Sequence, residues 1–411
     1  MQDRRGPTPQ PPEVAGTGIP FAEFVSLMAL MIALTALSID IMLPSLPQIG
    51  AAFSVAHVND VQQMVTSYMI GLALGQLVWG PLSDRFGRKK LLLLGLLVFT
   101  LSSLACLFVT SFGMLLAARV AQGFGGASAR VISIAIVRDL FAGRQMARVM
   151  SIVMMVFITV PIFAPTAGQA LAYVGSWRWA FWVLFTAGVA GMVWAGRRLP
   201  ETGHARDPGQ PTFLRAVGVV LSTPVTVVYT IASGFLFSSL VSYISSAQQI
   251  FVEVYGLGAA FPLVFGALAS SLAVASFINS RLVQRLGMRC VSHSALVGFV
   301  AASSIMAVIA AFGQPPVLVF GILLGVAFLC FGLIVPNFNA ISMQPMARVA
   351  GMAASLIGFS TTAIGAVIGG VIGYMFNGTV VPLALGLASL GVLALASIVA
   401  IEGRSGLFRG E

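Results

Sequence analysis

Three ionisable side chains, Asp40, Arg119 and Arg130, interrupt apolar stretches long enough to cross a membrane. Charge is costly in the hydrocarbon region, so such groups are functional candidates. A carboxylate beside a guanidinium stays ionised, whereas a carboxylate that loses its partner in an apolar cavity takes up a proton more readily. Asp40, with Arg119 as its charge partner, is therefore a candidate site for loading and releasing a proton. The alternative is a static ion pair that only helps two helices to pack.

Helix geometry is compatible with that pairing. Asp40 lies seven residues before Pro47 and Arg119 lies seven residues after Phe112, which puts both roughly 10 Å below the outer boundary. Arg130 follows on the same side of its helix, about 16 Å further along. Two interpretations of Arg130 stay open: it attracts an anionic or dipolar substrate, or it extends toward the inner water.

The elements that must position these charges are membrane spans. Of 411 residues, 58% are hydrophobic and 8% are charged, and the mean hydropathy is +0.99. This composition excludes a soluble protein of any fold. The net charge of +10 would suggest nucleic acid in a soluble chain, but in a membrane protein it reflects orientation, so no nucleic-acid partner is expected. The three cysteines form no ligand pattern, and neither a metal nor a cofactor is predicted.

A helix needs about 20 apolar residues to cross a bilayer, and the chain contains twelve such runs. The sequence predicts spans at 22–46, 62–83, 91–111, 113–138, 148–172, 177–198, 219–247, 258–281, 290–312, 316–341, 348–376 and 379–401. With both termini in the cytoplasm, every Lys and Arg lies in an inner segment except Arg119, Arg130 and Arg178. This asymmetry predicts a multi-pass membrane protein with both termini in the cytoplasm.

The halves of the chain resemble each other at one offset. The tetrapeptide Met-Ala-Arg-Val at 146–149 recurs at 346–349, and the Arg-x-Gly-x-basic pattern at 85–89 recurs at 285–289. A repeat of this kind predicts an all-α polytopic protein of two six-helix bundles related by an axis along the membrane normal. The predicted domains are a disordered N-terminus (1–21), a first bundle (22–199), a cytoplasmic loop (200–213), a second bundle (214–402) and a cytoplasmic tail (403–411).

The loop after span 2 reads GPLSDRFGRK at 80–89, and it resembles the loop signature of the major facilitator superfamily. The segment RVAQGFG at 119–125 resembles the helix-four motif of that superfamily's twelve-span drug:proton antiporters. Further segments are similar to the Bcr/CflA branch of bicyclomycin and chloramphenicol resistance-type exporters: DIMLPSLP at 40–47, VRDLF at 137–141 and AGMAAS at 350–355.

This resemblance assigns an inner gate to the loop motif. Asp84 can lie against the N-terminal dipole of span 11, and Arg85 and Arg88 can pair with Asp139. The alternative is that the basic cluster only sets the topology. The predicted gate consists of Gly80, Asp84, Arg85, Gly87, Arg88, Lys89, Arg138 and Asp139.

Two further motifs follow from the resemblance. Gln122 and Gly123 belong to the helix-four motif. Pro161, Pro165 and Gly168 resemble the antiporters' helix-five motif in degraded form, since Pro161 stands at its first glycine. Prolines kink a helix and can shape a cavity. Residues that interrupt the spans are candidates for the substrate cavity: Tyr68, Arg130, Met154, Tyr243, Asn337 and Phe338.

The resemblance implies a functional monomer in the lipid bilayer of the bacterial inner membrane. It would export small drug-like, amphipathic compounds in exchange for protons, driven by the proton gradient without a cofactor. The alternative is a secondary transporter of a metabolite such as a sugar, an amino acid or a siderophore. An enzyme is not expected because no catalytic grouping of residues is present in the sequence. A channel is disfavoured by the paired halves with a single buried carboxylate.

Overall fold

The computed structural model describes residues 13–14, 18–202 and 213–406. Within these residues, twelve helical segments are long and apolar enough to cross a membrane, which confirms the predicted number. In chain order, spans 1 to 12 are Phe21–Ala52, Val58–Phe86, Arg88–Phe108, Phe112–Leu140, Arg148–Val174, Arg178–Arg198, Pro224–Val254, Gly258–Leu286, Met288–Phe312, Val317–Ala347, Ala350–Tyr374 and Val381–Gly403.

The two halves of the molecule repeat one packing pattern. In the first half, span 1 packs against spans 4, 5 and 6, and spans 2 and 4, 3 and 4, and 3 and 6 form the other main pairs. Every one of these pairs has a counterpart six spans later in the second half. The halves meet chiefly through span 2 against span 11 and span 5 against span 8. The fold is therefore two six-helix bundles related by a pseudo-two-fold axis, as the sequence repeat predicts.

Several spans contain breaks. Span 1 is an α-helix at Phe21–Asp40, a 3-10 turn at Leu43–Ser45 and a helix at Leu46–Ala52. Spans 2 and 8 open with 3-10 turns at Val58–Gln62 and Gly258–Ala260, a 3-10 segment at Gln344–Val349 follows span 10, and π-helices occupy Gln249–Val254 and Gly365–Gly369. The remaining α-helices whose ends differ from those of the spans are Gln63–Phe86, Gly143–Val174, Pro224–Gln248, Phe261–Leu286, Val317–Met343, Ala350–Ile364, Gly370–Tyr374 and Val381–Gly406. π-helices are rare and occur frequently at functional sites. Those in spans 7 and 11 are therefore places where the backbone departs locally from a regular α-helix.

The connection between the halves differs from the prediction. Residues 203–212 lie outside the described residues, but Phe213–Leu221 forms a separate short helix instead of the start of the second bundle. Ala216 and Val220 pack it against Ala353 and Ile357 of span 11. Span 7 begins at Pro224 and not near residue 219, because a proline fits the first turn of a helix and interrupts its interior.

The termini also depart from expectation where they are described. Glu13–Val14 pairs antiparallel with Ile19–Pro20, and Val14 and Ile19 are buried, so this part of the segment predicted to be disordered is folded. The rest of 1–17 lies outside the described residues. Span 12 ends at Gly403, where a φ of 67° breaks the helix; helical residues continue to Gly406 in the predicted tail, and 407–411 lie outside the described residues.

The two ends of the bundle are named here by their residues. The basic face carries the helix ends around Arg88, Asp139, Glu201 and Arg289. The opposite face carries Asn59 with the ends of spans 7 and 11. The topology predicted from the basic residues makes the basic face cytoplasmic.

Candidate functional site

Asp40 is the last residue of the first α-helix of span 1, directly before the break at Leu43–Ser45. Its side chain is 3% exposed and borders a cavity between the two halves. In the described part of the chain, Asp40 takes part in no hydrogen bond and no ion pair. A carboxylate at a helix end inside an apolar cavity, without a counterion, can change its protonation state with its surroundings.

Span 5 packs against the break beside Asp40. A Cβ atom at Gly168 would lie 2.8 Å from the carbonyl carbon of Ile41, so only glycine permits this approach. Pro161 lines the same cavity as Asp40, and Pro165 lies one turn further along the helix Gly143–Val174. The structure thus brings Pro161 and Gly168 to the proposed proton site.

Arg119 is fully buried inside the first half. Its Nη1 donates to Gln122 Oε1 (2.6 Å), its Nε donates to Met64 O (3.3 Å), and its guanidinium lies 4.5 Å from the centroid of the Tyr68 ring. Gln122 in turn donates to Ser103 Oγ at 2.7 Å, which joins span 4 to span 3. No ion pair connects Arg119 with Asp40, so the pairing expected from their depth is absent from this conformation.

Gly123, the other residue of the helix-four motif, lies where spans 2 and 4 are in contact. A Cβ atom at Gly123 would lie 2.9 Å from the carbonyl carbon of Tyr68, so glycine lets spans 2 and 4 touch at the backbone. Gly126 leaves room for the Tyr68 hydroxyl, which would lie 2.8 Å from a Cβ there. Tyr68 is consequently buried under Arg119 and does not line the cavity.

Arg130 faces the space between the halves. Its guanidinium carbon lies 5.8 Å from the centroid of the Phe157 ring, a cation–π contact with span 5. It lines the cavity of Asp40 and two adjoining cavities that lead to the basic face. In the described part of the chain it makes neither an ion pair nor a hydrogen bond.

The central cavity has a volume of about 250 Å³. Its charged residues, Asp40 and Arg130, both belong to the first half. The second half provides an aromatic and aliphatic wall, in which Tyr243 stacks on Phe265 (5.4 Å between centroids) and meets the edge of Phe328 (4.8 Å). Cavities of this size and character suit amphipathic small molecules. The wall residues are Phe237, Leu240, Tyr243, Ile244, Phe265, Ala269, Leu272, Phe328, Phe331 and Val335.

Three other predicted cavity residues lie elsewhere. Asn337 donates to Asn279 Oδ1 and to Leu333 O, both at 2.7 Å, so its amide holds spans 8 and 10 together. Phe338 packs edge-on against Tyr229 at 5.0 Å, near the basic face. Met154 is half-buried on span 5 outside the residues that line the cavity. Each was a reasonable candidate by type, but span 10 turns Asn337 and Phe338 toward neighbouring spans.

The loop motif forms a cluster at the basic face. Arg88 pairs with Asp84 and with Asp139, where Nε lies 2.9 Å from Oδ2, and it donates to Ser83 Oγ at 2.7 Å. The expected pairing of Arg88 with Asp139 is therefore present, whereas Arg85 lies over the Phe86 ring at 5.2 Å and does not join it.

This cluster reaches the second half at the start of span 11. A Cβ at Gly351 would lie 3.5 Å from Asp84 Oδ2 and 3.6 Å from Arg138 Nη2, so both side chains rest against the first turn of that helix. The N-terminal dipole of span 11 favours a carboxylate at this point, as predicted for Asp84. Gly80 gives Ser355 of span 11 room to approach span 2.

Sequence reasoning assigned no role to Glu201. Its Oε1 accepts from the backbone amides of Arg88 (2.5 Å) and Lys89 (3.2 Å), which caps the N-terminus of span 3. Gly87 makes the turn possible, since its φ of 100° is unfavourable for other residues. The sequence signal that could have revealed this role is that Glu201 follows span 6 on the same side of the membrane as the start of span 3, where a carboxylate is favoured by the helix dipole.

A second missed feature closes the opposite face. Gln249, in the π-helix of span 7, accepts a hydrogen bond from Gln62 and donates to Asn59 Oδ1 at 3.0 Å. Asn59 then donates to the carbonyls of Tyr374 (2.9 Å) and Phe376 (2.7 Å) beyond span 11. These amide contacts cross between the halves, so this side of the cavity is sealed in the present conformation.

The chain matches the family model described as Major Facilitator Superfamily over residues 28–370. It is 30% identical over 386 residues to a protein named bicyclomycin resistance protein homolog from Haemophilus influenzae, covering 92% of this chain and 94% of the relative. A chloramphenicol resistance protein of Pseudomonas aeruginosa is 28% identical, covering 70% of this chain and 68% of that relative.

Solved structures share the fold. A partially occluded inward-open structure of the xylose transporter XylE from Escherichia coli superimposes with a TM-score of 0.75 at 13% identity, covering 92% of this chain and 97% of XylE. The human organic anion transporter MFSD10 superimposes with a TM-score of 0.66 at 19% identity, covering 92% and 99%.

Proposed function

Because the chain belongs to the Major Facilitator Superfamily, a family of transporters of small molecules, we propose that it exports small amphipathic compounds across the bacterial inner membrane in exchange for protons. The observation that carries this proposal is Asp40, a buried carboxylate without a counterion in a cavity between two symmetric halves. The proton gradient drives the cycle, no cofactor takes part, and both termini lie in the cytoplasm.

Asp40 couples the proton to the compound through its position at a helix break. When the carboxylate is charged, its desolvation favours a conformation in which water or a counterion reaches it; once protonated, it is compatible with a dry, closed cavity. Arg119, whose Nη2 is buried without a hydrogen-bond partner, is the charge partner that we assign to Asp40 in another conformation of the cycle. The two halves then alternate access around the fixed cavity.

Export of drug-like compounds is supported by the relatives whose names include bicyclomycin and chloramphenicol resistance. The cavity supports it as well. Its wall in the second half is aromatic and aliphatic, so an amphipathic compound gains burial there without needing many polar partners.

A metabolite transporter is the second candidate, because solved structures with this fold include a xylose transporter. A sugar presents several hydroxyl groups, and each one left without a hydrogen bond in an apolar cavity costs binding free energy. Since the second half offers few hydrogen-bonding groups to the central cavity, an amphipathic compound fits this cavity better than a sugar.

The experiment is proton-driven transport in everted membrane vesicles with Asp40→Asn. We expect this variant to bind compounds but to lose uphill transport and compound-evoked proton release. Asp60→Asn is the matched control, since Asp60 lies near the opposite face and accepts a hydrogen bond from Gln63 outside the cavity. Full proton-driven transport by Asp40→Asn would show that the proton site is elsewhere.

A further inference from the structure

Arg130 stands at the junction of three cavities with its hydrogen-bonding capacity unused. The central cavity, a second of about 290 Å³ beside span 11 and a third of about 180 Å³ at the basic face all include it in their walls. Among the described residues its guanidinium lies over the face of Phe157 and has Tyr68 as an electrostatic neighbour, but it makes no hydrogen bond. A guanidinium carries five N–H donors in a planar fork suited to a carboxylate, and a ring face satisfies none of them fully.

A second unused donor lies in the same space. The hydroxyl of Thr361, on span 11, is buried without a hydrogen-bond partner and lines the cavity that contains Arg130. Gln76 and Thr362 also line this cavity, but they bond to each other at 3.0 Å. Arg130 from the first half and Thr361 from the second therefore present donors to one cavity, and among the described residues neither donor is bonded to an acceptor.

From these observations we infer that Arg130 and Thr361 form an anion-binding subsite and that the transported compounds include amphipathic aromatic acids. The carboxylate of such a compound binds Arg130 and Thr361, and its ring enters the central cavity between Phe157 and the aromatic wall of the second half. This inference rests on the proposed export of amphipathic compounds and specifies their chemical class.

The path from the basic face has the matching charge. The third cavity is lined by Arg88 and Arg138 as well as Arg130. Asp84 pairs with Arg88, which leaves Arg138 and Arg130 as the positive groups along the way. A positive approach raises the local concentration of anions and repels cations. Asp40, which also lines the central cavity, disfavours the reverse orientation of an acid because it would set two carboxylates side by side.

The test compares an acid with its neutral ester. Binding of 2-naphthoic acid and of methyl 2-naphthoate to the purified transporter in detergent is measured near neutral pH by isothermal titration calorimetry. For Arg130→Gln we expect acid binding to weaken by about tenfold or more, the value of a charge-assisted hydrogen bond, and ester binding to stay within about twofold. Thr361→Val should weaken acid binding by a smaller factor of about threefold, as for a neutral hydrogen bond.

Two further variants keep the test decisive. Arg130→Lys retains the charge without the planar fork, so it should keep part of the preference for the acid even if Arg130→Gln folds poorly. Arg281→Gln is the matched control, because Arg281 also lies over a ring, that of Phe277 at 4.2 Å, but outside the cavities. Equal losses for acid and ester in Arg130→Gln and Arg130→Lys, or unchanged acid binding, would overturn the proposal. Because binding is measured without a membrane, loss of proton coupling would leave these results unaffected and would count against the proposed antiport alone.

Discussion

At the central cavity, spans 1–6 and spans 7–12 contribute different chemistry although their helices pack in the same pattern. The first half provides Asp40 and Arg130, and the second half provides rings and aliphatic side chains such as Tyr243, Phe265 and Phe328. A repeated backbone has thus been divided into one half that carries charge and one that offers an adaptable apolar surface. In such a division, proton coupling and compound binding can be altered separately.

The same contrast holds at the basic face. In the first half, the cluster of Asp84, Arg88 and Asp139 extends to Gly351 in the other half. In the second half, Glu402 accepts from Arg289 Nε (3.2 Å) and from the Tyr229 hydroxyl (2.9 Å), so this cluster closes within its own bundle. The first cluster links the halves, while the second holds one half together.

The largest expected effect separates the two carboxylates Asp40 and Glu402. If one compound is exchanged for one proton, a pH difference of about one unit across the vesicle membrane supports a roughly tenfold concentration ratio of the compound, equivalent to about 1.4 kcal/mol. In Asp40→Asn this ratio should fall to unity, because the exchangeable proton is lost. In Glu402→Gln it should persist, with a loss of unfolding free energy of about 1 kcal/mol. Vesicle uptake and thermal unfolding in detergent measure both quantities. If Glu402→Gln abolished the ratio as well, coupling would not belong to the first half alone.

Arg119 and Arg289 provide the second test. The partners of buried Arg119 are neutral, so Arg119→Met leaves no carboxylate without its counterion and should change the unfolding free energy by no more than about 1 kcal/mol. Proton-driven transport should nevertheless be lost. Arg289→Met should do the reverse, since it strands Glu402 but leaves the cavity intact. Thermal unfolding combined with vesicle transport checks this crossed pattern. Uphill transport by Arg119→Met at the rate of the unchanged protein would assign Arg119 a purely structural role.

Asp84 and Gln284 occupy equivalent positions in the two loops, and they allow the link between the halves to be tested. Asp84→Asn removes the carboxylate from the start of span 11 and from Arg88, and we expect transport to slow by about tenfold, as for a coupling between halves of 1 to 2 kcal/mol. The control, Gln284→Asn, is exposed and should stay within about twofold of the unchanged protein. Initial rates in vesicles measure this difference. Equal slowing in both variants would mean that the loops act alike.

The sequence predicts the number of spans and the repeat because each depends on patterns that are local in the chain, whereas the loop cluster follows from the resemblance of the motif at 80–89. Apolar length sets the spans, and Asp84 and Arg88 lie four residues apart on either side of the turn at Gly87. The lack of an ion pair between Asp40 and Arg119 could not be predicted, since similar depth in the membrane does not fix which way two helices turn. Arg119 instead bonds to Gln122 on its own helix through Nη1, and its Nη2 is left without a partner.

The missed residues share a different cause. Glu201, Gln249 and Thr361 act through partners that are more than a hundred residues away in the sequence or through a cavity made by both halves. Asn337 and Phe338 were expected to line the substrate cavity because of their residue types, but span 10 turns them toward spans 8 and 7. Side-chain direction at a helix surface depends on the packing of that helix, which a single sequence does not specify.

The smallest expected effect concerns the Tyr229 hydroxyl, which lies 3.0 Å from His293 Nε2 and donates to Glu402 at the basic face of the second half. Tyr229→Phe removes this link but keeps the ring against Phe338, so the unfolding free energy should fall by about 1 kcal/mol. Transport and its dependence on the proton gradient should be unchanged, because the hydrogen bonds described for the Tyr229 hydroxyl, with His293 and Glu402, stay within the second half. Thermal unfolding and vesicle transport measure the two effects side by side. A change in coupling without a change in stability would transfer a share of the proton chemistry to His293 and Glu402, and the division of labour between the halves would no longer hold.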